Sequence, residues 1–354
     1  MARTALVTGG SGYFGTTMVQ RLVASGYRVR NLDLNPPDGH PGEVEFIAAD
    51  IRDAIRVREA CAEVDVVFHN VAQQPLAKRA ELIESVNVSG TETLLRAARD
   101  AGVAKLVHTS STAVYGVPAG NPVDETTPLT PAEVYGRAKV RAEALCVQAA
   151  QSGLDVTIMR PRTLVGHGRL GLFSILFDWV ADGVPVFVFG RGDNLYQFVH
   201  ADDMAGACML AGEREGPTSY NVGASEFGTM RDTLEALTAH AGTGATVRSL
   251  PVKPAMLAMA ALSRAGLAPF GAYHWLVYGK PLWFDITKAQ TELGWHPRHS
   301  NESMVCEAYD WFALHRDDLH TQDRSLHQSP TKQGALRVLR WVSDALPSRR
   351  STAA

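Results

Sequence analysis

The sequence predicts an α/β protein built on a parallel sheet with helices on both faces. Short apolar runs alternate with amphipathic stretches from Thr4 to about Met159. Strands separated by helices of this length form βαβ units, whose strands run parallel. The runs are almost continuously apolar, which is typical of strands buried on both faces. The predicted strands are ALVTG, YRVRNLDL, VEFIAAD, VDVVFHN, AKLVHTS and LDVTIMRP.

Beyond these strands the chain is predicted to continue as a smaller, mixed lobe. Thr91–Ala101 and Ala132–Gln151 have the amphipathic pattern of helices. After Pro161 glycine and proline become more frequent, and we expect helices at LFSILFDWVADG and DDMAGACMLAG and a strand at NLYQFVH. The predicted parts are a sheet domain (1–161), a partly interleaved substrate lobe (162–315), and a polar linker with an amphipathic C-terminal helix (316–354).

Composition and charge are those of an ordinary soluble protein. The 354 residues are 45% hydrophobic and 20% charged, with a formal net charge of -3, which does not favour nucleic acid. The four cysteines lie far apart, without CxxC or histidines at ligand spacing, so we expect reduced, buried thiols and no metal. MARTALVTGG lacks a signal-peptide core, and no stretch reaches the roughly 18 uninterrupted apolar residues of a membrane span. A cytoplasmic protein is expected.

The stretch from Thr8 to Gly15, TGGSGYFG, follows a strand and opens a helix. This is the context that a dinucleotide-binding turn requires. Gly9 allows the tight turn, Gly12 lets the backbone approach a pyrophosphate, and Gly15 lets the helix pack close to the strand. The phosphates would then lie at the positive end of the helix. Residues 1–161 are therefore predicted to form a Rossmann-type, doubly wound domain.

Asp33 ends the second predicted strand, eighteen residues after Gly15. A carboxylate there accepts hydrogen bonds from the adenosine ribose hydroxyls and repels a 2′-phosphate. No arginine directly follows it, so the sequence predicts NAD(H) rather than NADP(H). After the third strand, Asp50 or the Ile51 amide is expected to hold the adenine edge, and Asp53 is a candidate helix cap.

Tyr135 and Lys139 are four residues apart and share one face of the predicted helix. An ammonium beside a phenol favours the phenolate and lowers a pKa of about 10. Tyr135 is thus a candidate general acid or base for an alcohol–ketone pair. Ser111, just past the fifth strand, is a candidate to hold the substrate oxygen.

Together these residues resemble the extended short-chain dehydrogenase/reductases of the NAD-dependent epimerase/dehydratase family. The resemblance covers about residues 3–315 and rests on TGGSGYFG, Asp33, TSSTAVYG, YGRAK and Arg160-Pro161. It implies a catalytic set of Ser111, Tyr135 and Lys139, and a homodimer paired through the Tyr135 helix. The cofactor-binding residues indicated by the motifs and the resemblance are Gly9, Gly12, Tyr13, Phe14, Gly15, Asp33, Asp50, Ile51, Asn70, Val71, Ala72, Asn87, Tyr135, Lys139 and Pro161.

Residues 111–116 discriminate between reactions within this family. Dehydratases resemble TDEVYG there and uronic-acid decarboxylases TSEVYG, whereas this chain has STAVYG. Elimination needs a second base and an acid for the leaving water, and Ala113 cannot transfer a proton. The small residues resemble the 4-epimerases. This resemblance implies an NAD-dependent epimerase of a nucleotide-activated sugar.

A second resemblance favours a different substrate. NVSGTETLLRAARDAGV and GRGDNLYQFVHADDMAGACMLA are similar to the 3β-hydroxysteroid dehydrogenase branch, which implies net oxidation or reduction of a hydroxyl on a bulky apolar molecule. A cofactor-binding regulator without turnover is a third hypothesis, disfavoured by the intact catalytic set. Each candidate arginine for a diphosphate is alternatively a surface residue. The candidate substrate-binding residues are Thr112, Arg162, Arg169, Arg191 and Tyr196.

The C-terminal third contains further apolar segments. PAMLAMAALSRAGL and FGAYHWLVYGKPLWF are expected to form a core helix and a strand under the substrate pocket, or a wall for a lipophilic substrate. His200 with Asp202-Asp203 predicts a strand end and a helix cap. In the last part, a helix is predicted that docks on its own domain or lies on an anionic membrane. Its apolar positions are Ala335, Val338, Leu339, Val342 and Leu346, flanked by Lys332, Arg337, Arg340 and Trp341.

Overall fold

The computed structural model describes residues 2–37, 39–74, 79–264, 279–317 and 319. They divide into two compact units, here called the sheet unit and the second unit. The sheet unit comprises 1–166, 196–227 and 281–304, and the second unit comprises the segments 167–195, 228–280 and 305 onward. The sheet unit thus contains two segments that the sequence places in the C-terminal lobe.

A seven-stranded parallel sheet forms the centre of the sheet unit. Its strands are β1 (Thr4–Thr8), β2 (Arg28–Asp33), β3 (Glu45–Ala48), β4 (Val66–His69), β5 (Lys105–Thr109), β6 (Asp155–Pro161) and β10 (Thr218–Val222). Their order across the sheet is β10-β6-β5-β4-β1-β2-β3. The predicted doubly wound α/β fold is confirmed, with β10 as an additional strand.

Short strands and helices complete the two units. The remaining strands are β7 (Leu164–Val165), β8 (Val186–Phe189), β9 (Val199–His200) and β11 (Val247–Leu250). The helices are α1 (Tyr13–Ala24), α2 (Ala54–Cys61), α3 (Ala80–Glu84), α4 (Thr91–Asp100), α5 (Val134–Gln151), α6 (Leu172–Ala181), α7 (Ala201–Glu213), α8 (Met230–Ala241), α9 (Val252–Arg264), α10 (Thr287–Leu293) and α11 (Asn301–His315). Ser85–Gly90 form a π-helix and Thr112–Tyr115 a 3-10 helix.

The sheet is covered by apolar helix faces on both sides, which explains the continuous apolar strands. On one side α1 and α7 pack through residues such as Met18, Leu22, Met204 and Cys208. On the other side α2, α4 and α5 pack through Val57, Leu94 and Cys146, among others. Cys61, Cys146 and Cys208 are buried free thiols, as predicted, and Cys306 is half-buried.

The second unit has its own small core. Its strands β8 and β11 pair in parallel, and Phe177 of α6 packs against Tyr309 and Phe312 of α11, with ring centroids 5.9 and 5.6 Å away. Among the described residues, no helix is long and apolar enough to cross a membrane.

The predicted strand NLYQFVH is wrong for most of its length. Only Val199–His200 is a strand, whereas Leu195 and Tyr196 form isolated bridges. The bridge of Tyr196 is made with Leu282, which follows Pro281. Because proline has no N–H to donate, the ladder cannot extend past that point.

Two C-terminal expectations also change. Residues 254–264 of PAMLAMAALSRAGL form a helix within α9, but Leu257 is 74% exposed and Ala260 is the only buried side chain among those described in this stretch, so the expected core position is wrong. Its apolar residues are distributed around the helix, and one contact cannot bury them all. Within FGAYHWLVYGKPLWF, Leu282 and Phe284 form isolated bridges rather than a strand, and 270–278 lie outside the described residues. The predicted C-terminal helix also lies outside them.

A buried ion pair fixes α5 on the sheet. Arg160 of β6 holds Glu143 of α5 with two hydrogen bonds, from Nη2 to Oε2 (2.7 Å) and from Nε to Oε1 (3.0 Å). The side chains are only 8% and 4% exposed. Ser110 donates to Oε1 of Glu143 at 2.6 Å, and Nη1 of Arg160 donates to the Tyr115 hydroxyl at 2.7 Å, which donates to Asn221 at 2.8 Å.

Replacement of Glu143 by Gln should strongly destabilise the protein. The change preserves the side-chain volume but leaves the Arg160 guanidinium buried without its carboxylate, which costs about 3–5 kcal/mol. Urea unfolding followed by circular dichroism would give the loss in free energy of unfolding. The matched control is Glu92→Gln, since Glu92 pairs with Arg96 on the exposed surface of α4 and such pairs contribute about 0–1 kcal/mol. Equal, small losses in both variants would contradict the prediction.

Candidate active site

The candidate site lies where the strand order reverses. From β1 the chain proceeds to β2 and β3 on one side, and from β4 to β5, β6 and β10 on the other. In open α/β sheets, ligands bind at the carboxyl ends of the strands at this point. The loops meet there, because Oγ1 of Thr109 donates to Oδ1 of Asn70 at 2.7 Å and a Cβ on Gly9 would lie 3.0 Å from the Val71 nitrogen.

The glycine turn has the geometry of a phosphate cradle. Gly9 has a φ of +75°, which favours glycine. A Cβ on Gly15 would lie 1.9 Å from the Gly9 carbonyl oxygen, so the close packing of α1 on the turn excludes any side chain. Gly12 is the N-cap of α1, no side chain caps it, and the first turn has no acidic residue. The amides at this helix end are therefore suited to an anionic ligand.

Tyr13 and Phe14, both predicted to bind the cofactor, have buried side chains. Their side chains are 6% and 8% exposed and belong to the core that α1 forms with the sheet. Only their backbone amides are therefore suited to contact a phosphate.

Asp33 lies beside the same turn. Its Oδ2 accepts from the Ser11 amide and its Oδ1 from the Asn35 amide, each at 3.1 Å. Burial raises the pKa of Asp33 above its ordinary value, and these amides partly offset that effect. The carboxylate is thus fixed at the end of β2, where the sequence predicts contact with the adenosine ribose.

The segment that follows β3, residues 50–53, leads directly into the helix α2. Asp53 caps α2 by accepting from the amides of Ile55 and Arg56 at 3.1 and 3.2 Å, as proposed from the sequence. Asp50 pairs with Arg52, which lowers the pKa of this carboxyl. Ile51 is 3% exposed. Its side chain packs so closely on Gly90 of the π-helix that a Cβ added to Gly90 would clash with it. Of Ile51, only the backbone is left for an adenine contact.

The loop after β4 is held by two asparagines. Asn87 of the π-helix accepts from the Gln73 amide at 2.7 Å and donates to the Gln73 carbonyl at 2.9 Å. Asn70 uses its oxygen for Thr109, while its buried Nδ2 has no acceptor among the described residues. A buried donor without a partner is costly, and a bound cofactor would satisfy it. This observation and the glycine turn both fit a dinucleotide.

Ser111 lies at the start of the 3-10 helix that follows β5. Its Oγ accepts from the Ala113 amide at 3.1 Å, so its own hydrogen stays available for a substrate oxygen. The next three residues, Thr112, Ala113 and Val114, are buried. The segment thus presents the Ser111 hydroxyl on a tight, well-packed turn.

Tyr135 and Lys139 lie in the first turns of α5, one above the other. Tyr135 is half-buried, and Lys139 is 2% exposed. The Lys139 ammonium donates to the Thr109 carbonyl at 2.8 Å, two residues before Ser111. Burial lowers the pKa of Lys139 to about 8. The lysine therefore carries its charge at neutral pH and can favour the phenolate of its helix neighbour.

Two buried histidines lie near Lys139, and neither is among the site residues that the sequence predicts. His69 is held between Thr8 at 2.7 Å and Thr91 at 3.0 Å. Because Thr91 donates its own hydrogen to the Asn87 carbonyl, Nε2 of His69 must be protonated and Nδ1 accepts from Thr8. Burial and the Lys139 charge lower the pKa of His69 to about 3, and they lower that of His108 as well. Both rings are therefore neutral.

Three predicted substrate residues form one buried cluster in the sheet unit. Nη1 of Arg162 donates to Thr112 at 3.3 Å and Nε to the Gln197 carbonyl at 2.9 Å. The guanidinium lies 4.8 Å from the Tyr196 ring centroid and 5.2 Å from that of Phe284. At 2% exposure, Arg162 is not the surface residue considered as its alternative.

The other predicted arginines belong to the second unit. Arg169 is buried at 9% exposure, with its guanidinium 5.9 Å from the Phe173 ring. The Arg191 side chain is 89% exposed and pairs with Asp193 at 2.6 Å, as a surface arginine does. In the sheet unit, His200 caps α7 by accepting from the Asp202 amide at 3.2 Å, as predicted.

Fold and site define a dinucleotide-binding protein of the extended short-chain dehydrogenase/reductase type. The model of the NAD dependent epimerase/dehydratase family matches residues 5–223, and the chain belongs to that family. Over 98% of its length the chain is 48% identical to the uncharacterized protein y4nG of Sinorhizobium fredii, of which 88% is covered. Over 87% it is 32% identical to a UDP-glucose 4-epimerase of Mycolicibacterium smegmatis, of which 97% is covered.

A solved structure shows the same fold. The UDP-glucose 4-epimerase of Thermotoga maritima with UDP-glucose matches with a TM-score of 0.74 at 24% identity, over 88% of this chain and 99% of that one. By its family, the chain is an NAD-dependent epimerase or a related oxidoreductase.

The alkaline limit of turnover should reflect Lys139. Its pKa of about 8 lies below the ordinary value of 10.5, so the ammonium is present below that pH and is lost above it. We expect kcat to fall as pH rises through about 8, measured by initial rates between pH 6 and 10. Lys253→Met on the exposed start of α9 is the control and should keep the same profile. An alkaline limit near 10.5 would contradict the assignment.

Proposed function

We propose that this protein is an epimerase of a nucleotide-activated sugar, acting through a transient ketone at a carbinol carbon. The observation that carries the proposal is the chemistry of residues 111–116. Ser111 and the Tyr135–Lys139 pair supply the groups for one alcohol–ketone proton transfer, and the buried Ala113 stands where elimination would need an acid. The 32% identity to a UDP-glucose 4-epimerase supports this assignment.

In the proposed reaction, Tyr135 is the base that takes the hydroxyl proton. Lys139, charged at neutral pH, favours its phenolate, and the Ser111 hydroxyl donates to the substrate oxygen, where negative charge develops. Bound NAD(H) supplies the hydride acceptor and donor. Asn70, Asn87, Asp33 and the glycine turn are the residues that would hold it.

Tyr115, the other phenol in this segment, does not serve as a second proton donor. It is fully buried, accepts from Arg160 and donates its hydrogen to Asn221. Burial raises its pKa to about 12. Near neutral pH it keeps its proton in a structural hydrogen bond. Neither Ala113 nor Tyr115 can therefore supply the further acid that dehydration would need at residues 111–116.

Arg162 has a positioning role in this proposal. Its guanidinium holds the Thr112 hydroxyl, which also donates to the Pro161 carbonyl at 3.2 Å. The two contacts fix the turn that begins at Ser111. Arg169 and Arg191 stay the candidates for the substrate diphosphate, since forked guanidinium groups suit phosphate oxygens.

The protein is proposed to act as a cytoplasmic homodimer that pairs through α5. This pairing rests on the family resemblance, and Val147 on the same helix is 50% exposed.

Mass spectrometry and absorbance of the purified chain, before and after addition of nucleotide sugars, test the proposed function. We expect co-purified NAD⁺ and a sugar that changes in stereochemistry, resolved by chromatography, but not in mass. UDP-glucose and UDP-galactose are the first pair to try. Stoichiometric formation or consumption of NADH on a hydroxy or keto substrate would instead support net oxidation or reduction and would overturn the epimerase assignment.

Replacement of Tyr135 by Phe should abolish turnover, because the phenol that moves the proton is lost while the ring keeps its packing. Bound NAD⁺, measured by release and chromatography, should stay near the wild-type amount. Tyr27→Phe is the matched control, since this phenol pairs with Glu213 at the exposed start of β2. Activity retained in Tyr135→Phe would show that the catalytic assignment is wrong.

A further inference from the structure

The segment that follows β2 returns to the glycine turn through His40. Nε2 of His40 lies 3.0 Å from the Gly10 carbonyl oxygen. A carbonyl oxygen only accepts, so Nε2 must carry the hydrogen. In the neutral ring Nδ1 is then an acceptor. The geometry thus fixes the tautomer of this imidazole.

Nδ1 of His40 has no donor among the described residues, although the atom is buried. A buried acceptor without a donor is costly, and such atoms are commonly completed by water or a ligand. The atom belongs to a group of residues around one short turn. Gly10 accepts from His40, while Ser11 donates its amide to Asp33 and accepts from Asn31 at 3.0 Å.

Asp33 and His40 interact electrostatically, and each affects the pKa of the other. Burial lowers the pKa of His40 below its ordinary value, and the Asp33 carboxylate opposes this shift. The ring is therefore neutral near pH 7. Two acceptors, a carboxylate and the Nδ1 lone pair, then lie at the turn that is proposed to seat the dinucleotide.

We propose that His40 is a cofactor-binding residue that selects NAD over NADP, through acceptance of an adenosine ribose hydroxyl hydrogen by Nδ1. The inference rests on the dinucleotide site of the proposed function. A ribose hydroxyl is a donor and satisfies the imidazole. A 2′-phosphate presents only acceptor oxygens and negative charge, so it meets an acceptor in His40 and a like charge in Asp33. The preference for NAD over NADP is therefore stronger with His40 and Asp33 together than with Asp33 alone.

Competition between the two dinucleotides tests this inference without any turnover assay. The full chain is incubated with equal concentrations of NAD⁺ and NADP⁺, freed of unbound ligand and denatured, and the released dinucleotides are quantified by mass spectrometry. His40→Phe keeps a ring but removes the acceptor, and should lower the bound NAD⁺/NADP⁺ ratio about tenfold, as expected for one lost hydrogen bond. His40→Gln can donate to Gly10 and accept at once, and should recover most of the ratio.

The pH dependence of the ratio separates an acceptor from a packing residue. As pH falls from 8 to 5, the wild-type ratio should fall, because a protonated Nδ1 becomes a donor that tolerates a phosphate. The charged group facing the ring in the described structure is Asp33. Since Asp33 is retained in His40→Phe, the difference between the two profiles isolates the imidazole. His240→Phe, in the second unit where His240 pairs with Asp310, is the matched control.

The outcomes are distinguishable from failure of the epimerase assignment. An unchanged ratio and a parallel pH profile in His40→Phe overturn the role of His40, whatever the reaction. Equal losses of both dinucleotides also overturn it, since His40 would then only order the loop. If the wild type binds NAD⁺ selectively but epimerises no sugar, the proposed function fails and the His40 assignment stands. If the wild type binds neither dinucleotide, both fail.

Discussion

The buried pair between Glu143 and Arg160 is the interaction on which the candidate site depends. Taking two charges out of water is favourable only when geometry and additional hydrogen bonds compensate their desolvation. Here Arg160 donates from three nitrogens and Glu143 also accepts from Ser110. A shift of α5 along its axis would break the contacts of Glu143 with Arg160 and with Ser110. The pair therefore sets the register of the helix that carries Tyr135 and Lys139, and it does so from one turn beyond the lysine.

Burial makes the Glu143–Arg160 pair costly, and burial also lowers the pKa of Lys139. Lys139 is almost completely buried. Its neighbours include the Thr109 carbonyl and the neutral imidazoles of His69 and His108. Burial lowers its pKa, and the interactions with Cys146 and Glu143 oppose the shift. With a carboxylate in direct contact, the lysine would stay charged at all accessible pH values and would bind that carboxylate rather than assist the phenol. Glu143 lies four residues after Lys139. The residue that fixes α5 on the sheet is thus separate from the residue that is proposed to assist the phenol.

Local features of this molecule were predictable from the sequence, and pairings between distant segments were not. The glycine turn, the Asp53 cap and the helix spacing of Tyr135 and Lys139 each depend on a few adjacent residues, and the structure has them as predicted. The strand β10 was missed because TSYNV is short and polar, and only its pairing with β6 makes it a strand. The sequence leaves open whether Arg162 is a substrate-binding or a surface residue, because nothing near it in sequence indicates its contacts with the rings of Tyr196 and Phe284. Glu143 could have been noticed, since a carboxylate four residues after Lys139 lies on the helix face that must be buried.

The identity of Ala113 and the hydrogen bonds of Tyr115 have a consequence for the proposed reaction. A transient ketone beside one phenol and one serine hydroxyl can be reduced again, on either face, with return of the proton that Tyr135 has taken. Loss of water needs a further base and acid, and Ala113 with the occupied phenol of Tyr115 provides neither. Neither Ala113 nor Tyr115 can therefore carry the ketone intermediate on to loss of water. In the proposed site, Arg162 and Thr112 do not take part in proton transfer, and they fix the turn that begins at Ser111.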